Sequence, residues 1–296
     1  MHKKGEIKMK KGIGIWLIVA LALIVSGAGL FSVGVMYGGS KNVTFGENGL
    51  KIGAGEDFHY ESEKLDKLSR MDIDVTNLKV VIAPSDGDYY MVKCDVYDGY
   101  DEPQIEIKDG VLTVKQKHEH GFWIFNFNFS FDFRPNVMTI YVPKGSDFEN
   151  ITINSSNSAI RFEQAVNADY VNIDTSNGAI YIEKMTCNER LNAKTSNGAI
   201  DCDGIFNGEV TLKTSNGSID IEGKYAKGVE AKSSNGRISA DIDGRRKDYD
   251  LDLDTSNGSI RIDGNKVSDD YREDNKSNYE IYLKSSNGSI EVDFNR

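Results

Sequence analysis

Cysteine, histidine, proline and positive charge are all scarce in this chain. Its 296 residues include only 3 Cys, 4 His and 4 Pro. Cys94, Cys187 and Cys202 cannot build a disulfide framework, and their spacing matches no zinc-ligand pattern. The last histidine is His120, so the second half offers no imidazole for a nucleophile–base pair. His118, Glu119 and His120 are the one short group with metal-ligand chemistry, too few to define a site. No metal and no cofactor is expected. Lys and Arg number 35 against 46 Asp and Glu, a net charge of −11. Nucleic acid is thereby excluded as a partner, because phosphate recognition needs a basic footprint.

What the chain does have begins with a membrane address. Residues 1–11 carry five lysines and one glutamate, and no charge follows from Gly12 to Gly39. The apolar run Ile13–Tyr37 would span roughly 37 Å as a helix, more than the ~30 Å hydrocarbon layer. A cytoplasmic tail (1–11) and one transmembrane helix (12–37) are therefore expected. The lysines hold the N-terminus inside and everything after Tyr37 outside, a single-pass protein of the cell membrane. A cleaved signal peptide is the competing reading, since Ser26-Gly27-Ala28 resembles a cleavage site. The apolar stretch, however, runs on through Leu30, Phe31, Val33, Val35 and Met36, beyond a signal core. The outer part, 38–296, carries −15 of the charge.

Self-similarity dominates the second half. Ser-Ser-Asn-Ser-Ala-Ile at 155–160 recurs as Thr-Ser-Asn-Gly-Ala-Ile or a close variant around Asn177, Asn197, Asn216, Asn235, Asn257 and Asn287. From Asn157 onward the spacings are 20, 20, 19, 19, 22 and 30 residues. Within a repeat, Val171, Ile173 and Thr175 share one face, and after Gly178 the apolar set shifts phase to Ile180 and Ile182. The phase slip marks a corner between two strands, and glycine suits it by accepting φ > 0. An Asn-Gly hairpin is the alternative. The constant period, and one apolar face per unit that cannot bury itself, favour stacked coils.

The fold class expected is all-β: a β-solenoid, parallel β-helix-like, of about 20-residue coils, preceded by the transmembrane helix. Stacking in chain order aligns Ile180, Ile200, Ile219, Ile238, Ile260 and Ile290 in one interior column. Ile182, Cys202, Ile221, Ala240, Ile262 and Val292 form the next. Asn157, Asn177, Asn197, Asn216, Asn235, Asn257 and Asn287 point inward by parity, as a structural ladder of amides with a Thr/Ser hydroxyl ladder beside it. Cys187, aligned with Asn167 and Asn207, reads as an exposed thiol. All four prolines precede the repeats, as strands that donate on both sides require.

Residues 38–70 read as a stalk and lead-in, 71–150 as an irregular β section opening the solenoid, and 151–296 as the regular repeats. Ile73–Ile82 superposes on Ile153–Phe162 as a degenerate first coil. Phe122, Trp123, Phe125, Phe127, Phe129, Phe131 and Phe133 form an aromatic ribbon, expected either to cover the solenoid or its N-terminal edge, or to contact the membrane or a partner. The last coil shows no capping segment, and the polar insertion Gly264–Asn278 precedes it.

These features, the anchor, Ile73–Ile82, Val137–Lys144 and the serial Thr-Ser-Asn-Gly-x-Ile units, resemble a bacterial family of putative adhesins with β-strand repeats, over about 65–296. The resemblance implies single-pass, surface-exposed β-solenoids of unknown function, some tied to envelope stress. The function expected is non-catalytic: an acidic surface presented to an envelope component or a signalling protein, for adhesion or stress signalling. A polysaccharide-acting β-helix enzyme and a calcium-binding surface domain are the alternatives. The Asp residues recur with the repeat rather than clustering, and the calcium nonapeptide pattern is missing.

Overall fold

The computed structural model describes residues 26–27, 42–46, 49–52, 57–97, 102–116, 127–130 and 134–295. The chain divides into two compact units, 1–56 with 121–133, and 57–120 with 134–296. In the first unit, Asn42–Gly46 pairs antiparallel with both Gly49–Ile52 and Phe127–Ser130. The span expected at 12–37 lies outside the described residues except Ser26 and Gly27, which are helical and exposed. Among the described residues no helix is long and apolar enough to cross a membrane.

The second unit is the solenoid. Each coil supplies a first strand, a corner and a second strand, and alternation along both strands places the apolar set inside. Val166–Thr175 and Ile180–Thr195 show the pattern, with Val171, Ile173, Ile180 and Ile182 buried and Asn172 and Tyr181 turned outward. Parallel registers stack equal positions, Ile180 on Ile200 and Ile200 on Ile219. The expected isoleucine column is fully buried at all six positions. Each such side chain contributes roughly 1.5–3 kcal/mol when removed from water. One coil alone leaves that apolar face in water, which is why the coils are stable only as a stack. The coil around Asn77 opens the regular part, with Ile73 on Ile153 and Val80 on Ile160.

The order of the coils departs from the order of the chain. Glu280–Ser285 pairs with both Gly228–Ser233 and Asp250–Thr255, and Ile290–Asn295 pairs with both Ile238–Asp243 and Ile260–Ile262. The last repeat in sequence is therefore intercalated between the two before it, and the coil of Asn257 ends the stack. The insertion after Gly264 makes this possible and also covers the exposed edge. Asp270–Glu273 runs antiparallel on Asp250–Thr255, and Asn265–Val267 antiparallel on Ile260–Ile262. The other end is closed alike, by Pro103–Lys108 on Val111–Gln116 and by Phe58–Glu61 on Met91–Val96. Each terminal strand is thus antiparallel and short, which blunts edge-to-edge association. The uncapped terminal coil expected from the sequence is corrected by this arrangement. Residues 57–70 belong to this unit too, since Phe58–Glu61 is one of its strands and Leu68 is fully buried.

Glycine at the corner has a reason other than the one expected. Gly178, Gly198, Gly217, Gly236, Gly258 and Gly288 do not have positive φ. What they lack is room: a Cβ on Gly198 would lie 1.9 Å from the Gly178 carbonyl oxygen, and one on Gly217 1.8 Å from that of Gly198. Positive φ is used elsewhere. Lys184, at φ 56, takes up a residue where the register between Ile180–Thr195 and Ile200–Phe206 shifts.

Gly217→Ala should therefore destabilise the fold by at least about 2 kcal/mol, because the obstruction is backbone that cannot swing away. Ser218→Ala, which installs the residue found at 179 and 199, should cost under about 0.5 kcal/mol. Urea unfolding of the two variants measures the difference, and equal midpoints would contradict the packing described.

Candidate functional site

The corners carry two polar ladders, and only one is internal. Thr175, Thr195, Thr214, Thr255, Ser155, Ser233 and Ser285 are buried. The Thr195 hydroxyl accepts from Gly198 N–H of its own corner at 3.1 Å and donates to the Gly178 carbonyl of the preceding coil at 2.9 Å. Thr214 does the same with Gly217 and Gly198, at 3.1 and 3.0 Å. Ser233 uses Gly236 and Gly217, at 2.8 and 3.1 Å, and Ser285 uses Gly288 and Gly236, both at 2.9 Å. An unsatisfied buried hydroxyl, amide or carbonyl would cost about 1–3 kcal/mol. Each hydroxyl here satisfies one donor and one acceptor that the bend strands.

The asparagines form the outer ladder, a correction to the inward placement. Asn157, Asn177, Asn197, Asn216, Asn235, Asn257 and Asn287 are all exposed. Parity does not survive the bend: after buried Thr175, both Ser176 and Asn177 lie outside before Gly178 re-enters. The side chains nevertheless run as one hydrogen-bonded file. Asn157 donates to Asn77 at 2.7 Å, Asn177 to Asn157 at 2.8 Å, and Asn197 to Asn177 at 2.7 Å. Asn216 donates to Asn197 at 2.6 Å and Asn235 to Asn216 at 2.7 Å. Asn287 then donates to Asn235 at 2.7 Å and Asn257 to Asn287 at 2.9 Å, following the intercalated order.

The two faces differ in charge. On the first-strand face, Lys194, Lys213, Lys232 and Lys284 occupy successive coils and are neutralised locally. Glu230 bridges Lys213 and Lys232 at 3.1 and 2.6 Å, and Asp254 meets Lys284 at 2.5 Å. The hydrogen bond from Lys232 holds the Glu230 carboxyl below its usual range, with Lys213 adding to it against a burial cost.

The second-strand face is acidic. Asp203, Glu222, Asp241 and Asp293 stand on consecutive coils in register, beside the pair Asp201 and Asp220. Among the described residues Asp201, Asp203, Asp220 and Glu222 make no ion pair. Among the described residues the cations that reach this face are Arg161, 3.7 Å from Glu183, Arg237, paired with Glu291 at 2.5 Å, and Arg246, 3.8 Å from Asp263. Burial pushes the Asp201 carboxyl above its ordinary value, and the charges of Asp220, Glu183 and Asp203 push it further, against Arg161. Asp293 is raised likewise, first by burial and then by Glu291, Asp263 and Asp241. The carboxylates lie in file rather than converging, and no group of three or more His, Cys, Asp or Glu among the described residues could hold a metal ion. Chemically the row is a multivalent anionic track.

No described thiol is a nucleophile in waiting. Cys187 is buried, not exposed: the register sets it beside Ala168 and Phe206, one position from the alignment with Asn167 and Asn207. Burial pushes its thiol up to about 11, and those of Cys94 and Cys202 up to about 12. Tyr225 is also fully buried, stacked on Phe206 at 4.8 Å and donating to the Cys202 carbonyl at 2.9 Å. Arg245, Arg246 and Lys247 line a cavity of about 650 Å³ with Asp263 and Phe294. Two of these cations are already engaged, Arg245 by Asp248 at 2.9 Å and Arg246 by Glu273.

The aromatic ribbon is reached only in part. Phe127 and Phe129 lie in the first unit's sheet, in register with Phe45 and Val43, while Phe122, Trp123, Phe125, Phe131 and Phe133 lie outside the described residues. The N-terminal edges of the solenoid carry the antiparallel strands Phe58–Glu61 and Pro103–Lys108. Sequence reasoning missed the lysine row, although a lysine directly before the Thr or Ser of four repeats was its signal.

The chain is similar to several solved structures. A putative adhesin from Bacteroides fragilis is 16% identical, with 80% of this chain and 97% of that chain covered at a TM-score of 0.47. A putative cell adhesion protein from Clostridium sporogenes is 14% identical, covering 81% of this chain and 99% of its own at 0.34. A putative lipid binding protein from Parabacteroides distasonis is 16% identical, covering 82% and 98% at 0.32. No curated protein matches the chain. The Toastrack family model, DUF4097, matches residues 68–296, from the opening coil through the intercalated one, and the chain belongs to that family.

Proposed function

We propose that the protein is a non-catalytic, membrane-anchored surface domain whose acidic face receives a cationic component of the cell envelope or a cationic segment of a signalling partner. In this reading residues 12–37 hold the chain in the cell membrane with the N-terminus cytoplasmic and the solenoid extracellular, and the aromatic segment 122–133 lies at the membrane or partner contact. The observation that carries the proposal is the unneutralised file of Asp201, Asp203, Asp220 and Glu222 across adjacent coils. Like charges opposite one another across strands cost stability, by up to about 1 kcal/mol a pair. On the first-strand face the stacked lysines are compensated by Asp174, Glu230 and Asp254, whereas Asp201, Asp203, Asp220 and Glu222 pair with no cation among the described residues. A partner bearing several positive charges would offset the repulsion and be held along the whole file, with an on-rate that falls as salt screens the field.

Full-length protein in phosphatidylcholine nanodiscs should bind a fluorescent oligolysine peptide, more weakly as salt rises. Asp203→Asn with Glu222→Gln and Asp241→Asn should weaken binding at least roughly tenfold, about 1.4 kcal/mol. Lys213→Gln with Lys232→Gln should leave it within about threefold. Loss of binding in the lysine variant alone would overturn the assignment of the face.

Because the Asp201 carboxyl is raised in the folded state, the native chain binds its proton more readily than the unfolded chain does, so this residue favours folding as pH falls from neutral toward the carboxylate range. Asp201→Asn should raise the melting temperature at neutral pH by roughly 1–3 °C and reduce the gain seen on mild acidification. Calcium at millimolar concentration should leave the melting temperature of the wild-type chain unchanged, since carboxylates in file cannot wrap a cation that takes six to eight oxygens. A calcium-dependent rise of several degrees would revive the calcium-binding alternative.

A further inference from the structure

Asn-Gly is the dipeptide at which asparagine loses its side-chain amide most readily. The glycine backbone nitrogen attacks the asparagine Cγ, a C–N bond forms, and ammonia leaves with the transferred proton. Water then opens the succinimide to aspartate or isoaspartate. The reaction needs a glycine N–H free to lose its proton and a side-chain carbonyl free to turn toward it. Among the described residues the chain holds seven such dipeptides, at Asn177, Asn197, Asn207, Asn216, Asn235, Asn257 and Asn287.

Five of them are restrained twice. Gly178, Gly198, Gly217, Gly236 and Gly288 each donate their N–H to the Thr or Ser hydroxyl of the corner, at 3.2, 3.1, 3.1, 2.8 and 2.9 Å. The Oδ1 of the asparagine before each glycine accepts from the amide of the next coil, as in Asn197 to Asn177 and Asn257 to Asn287. The nucleophile and the electrophile are thus both tied.

Among the described residues, neither restraint is found at Asn207 or Asn257. Asn257 closes the ladder, donating to Asn287 but accepting from no described coil beyond it, and the N–H of Gly258 makes no hydrogen bond to a described residue. Asn207 lies at the opposite turn, donating to Asn188 at 3.2 Å, and the N–H of Gly208 is equally untied. Both asparagines are exposed to the water that completes the reaction.

We infer that Asn257 and Asn207 are the sites of spontaneous deamidation in the folded chain, and that the hydroxyl-seated corners protect the other five. Conversion at Asn257 places a carboxylate against the Asn287 carbonyl oxygen it formerly bonded at 2.9 Å, and isoaspartate inserts a methylene into the terminal corner. Both changes loosen the coil that ends the stack and the strands that cap it. The modification therefore acts as a slow, irreversible timer on one end of the solenoid.

The test is peptide mapping by mass spectrometry, with isoaspartyl methyltransferase labelling, on full-length protein held in detergent micelles at mildly alkaline pH. A parallel sample is held in denaturant. In denaturant all seven sites should convert at similar rates. In the folded sample Asn207 and Asn257 should convert at least roughly tenfold faster than the five ladder sites, the rate counterpart of the hydrogen bonds they lack. Thr214→Val, checked for native circular dichroism, should speed conversion at Asn216 and leave Asn177 as it was. Ladder sites converting as fast as Asn257 in the folded chain would overturn the inference. So would Asn207 and Asn257 staying amidated for as long as the denatured chain takes to convert.

Discussion

The buried hydroxyl at each corner is the constraint from which the rest of the solenoid follows. A chain that turns sharply strands a glycine N–H on the inside of the bend and a glycine carbonyl on the neighbouring coil. Thr195, Thr214, Ser233, Ser285 and Thr255 each reach that carbonyl in the adjacent coil at 2.8–3.1 Å. The same contact that satisfies the backbone therefore also fixes how far apart two coils sit. That distance excludes a Cβ at the glycine, so the Thr/Ser and the Gly of the motif require one another. The aliphatic columns then supply most of the stabilising free energy, and the hydroxyl seam sets the register in which they meet.

Much of this was legible because a solenoid repeats its chemistry at each turn. Period-2 alternation placed Val171, Ile173, Ile180 and Ile182 inside, and the register of Ile73 on Ile153 followed from the same pattern. The asparagines were misplaced because parity counting assumes an extended chain, and Ser176 and Asn177 are in the bend. Cys187 was misplaced by one position, where the register between neighbouring coils shifts. The order of the last two coils could not be read at all. Ile260 and Ile290, or Asn257 and Asn287, are chemically equivalent, so either stacking order buries the same side chains. Only the insertion after Gly264 distinguishes them, by spanning back across a coil and folding on the end.

The charge pattern belongs to a different level of the sequence. Positions that face outward are free of packing constraints, yet they too repeat from coil to coil, because each lies directly over its predecessor. Repetition turns one residue choice into a stripe: lysine before the corner becomes a row of ion pairs, and aspartate after it becomes a file of carboxylates. A surface of this kind is regular from coil to coil, and in the proposed function accumulated charge rather than a pocket does the recognising. The antiparallel strands at all four terminal edges keep it from extending into fibres, so the stack presents its faces and not its ends.

Amide hydrogen exchange at the corner glycines tests the central claim most directly, because it reads the seam itself. If the hydroxyls seat the bends, the N–H groups of Gly198, Gly217, Gly236 and Gly288 exchange only with global unfolding, while that of Gly258 exchanges as an open loop does. Uniformly fast exchange at all five would show that the strands alone hold the corners and that the hydroxyl seam does not set the stack.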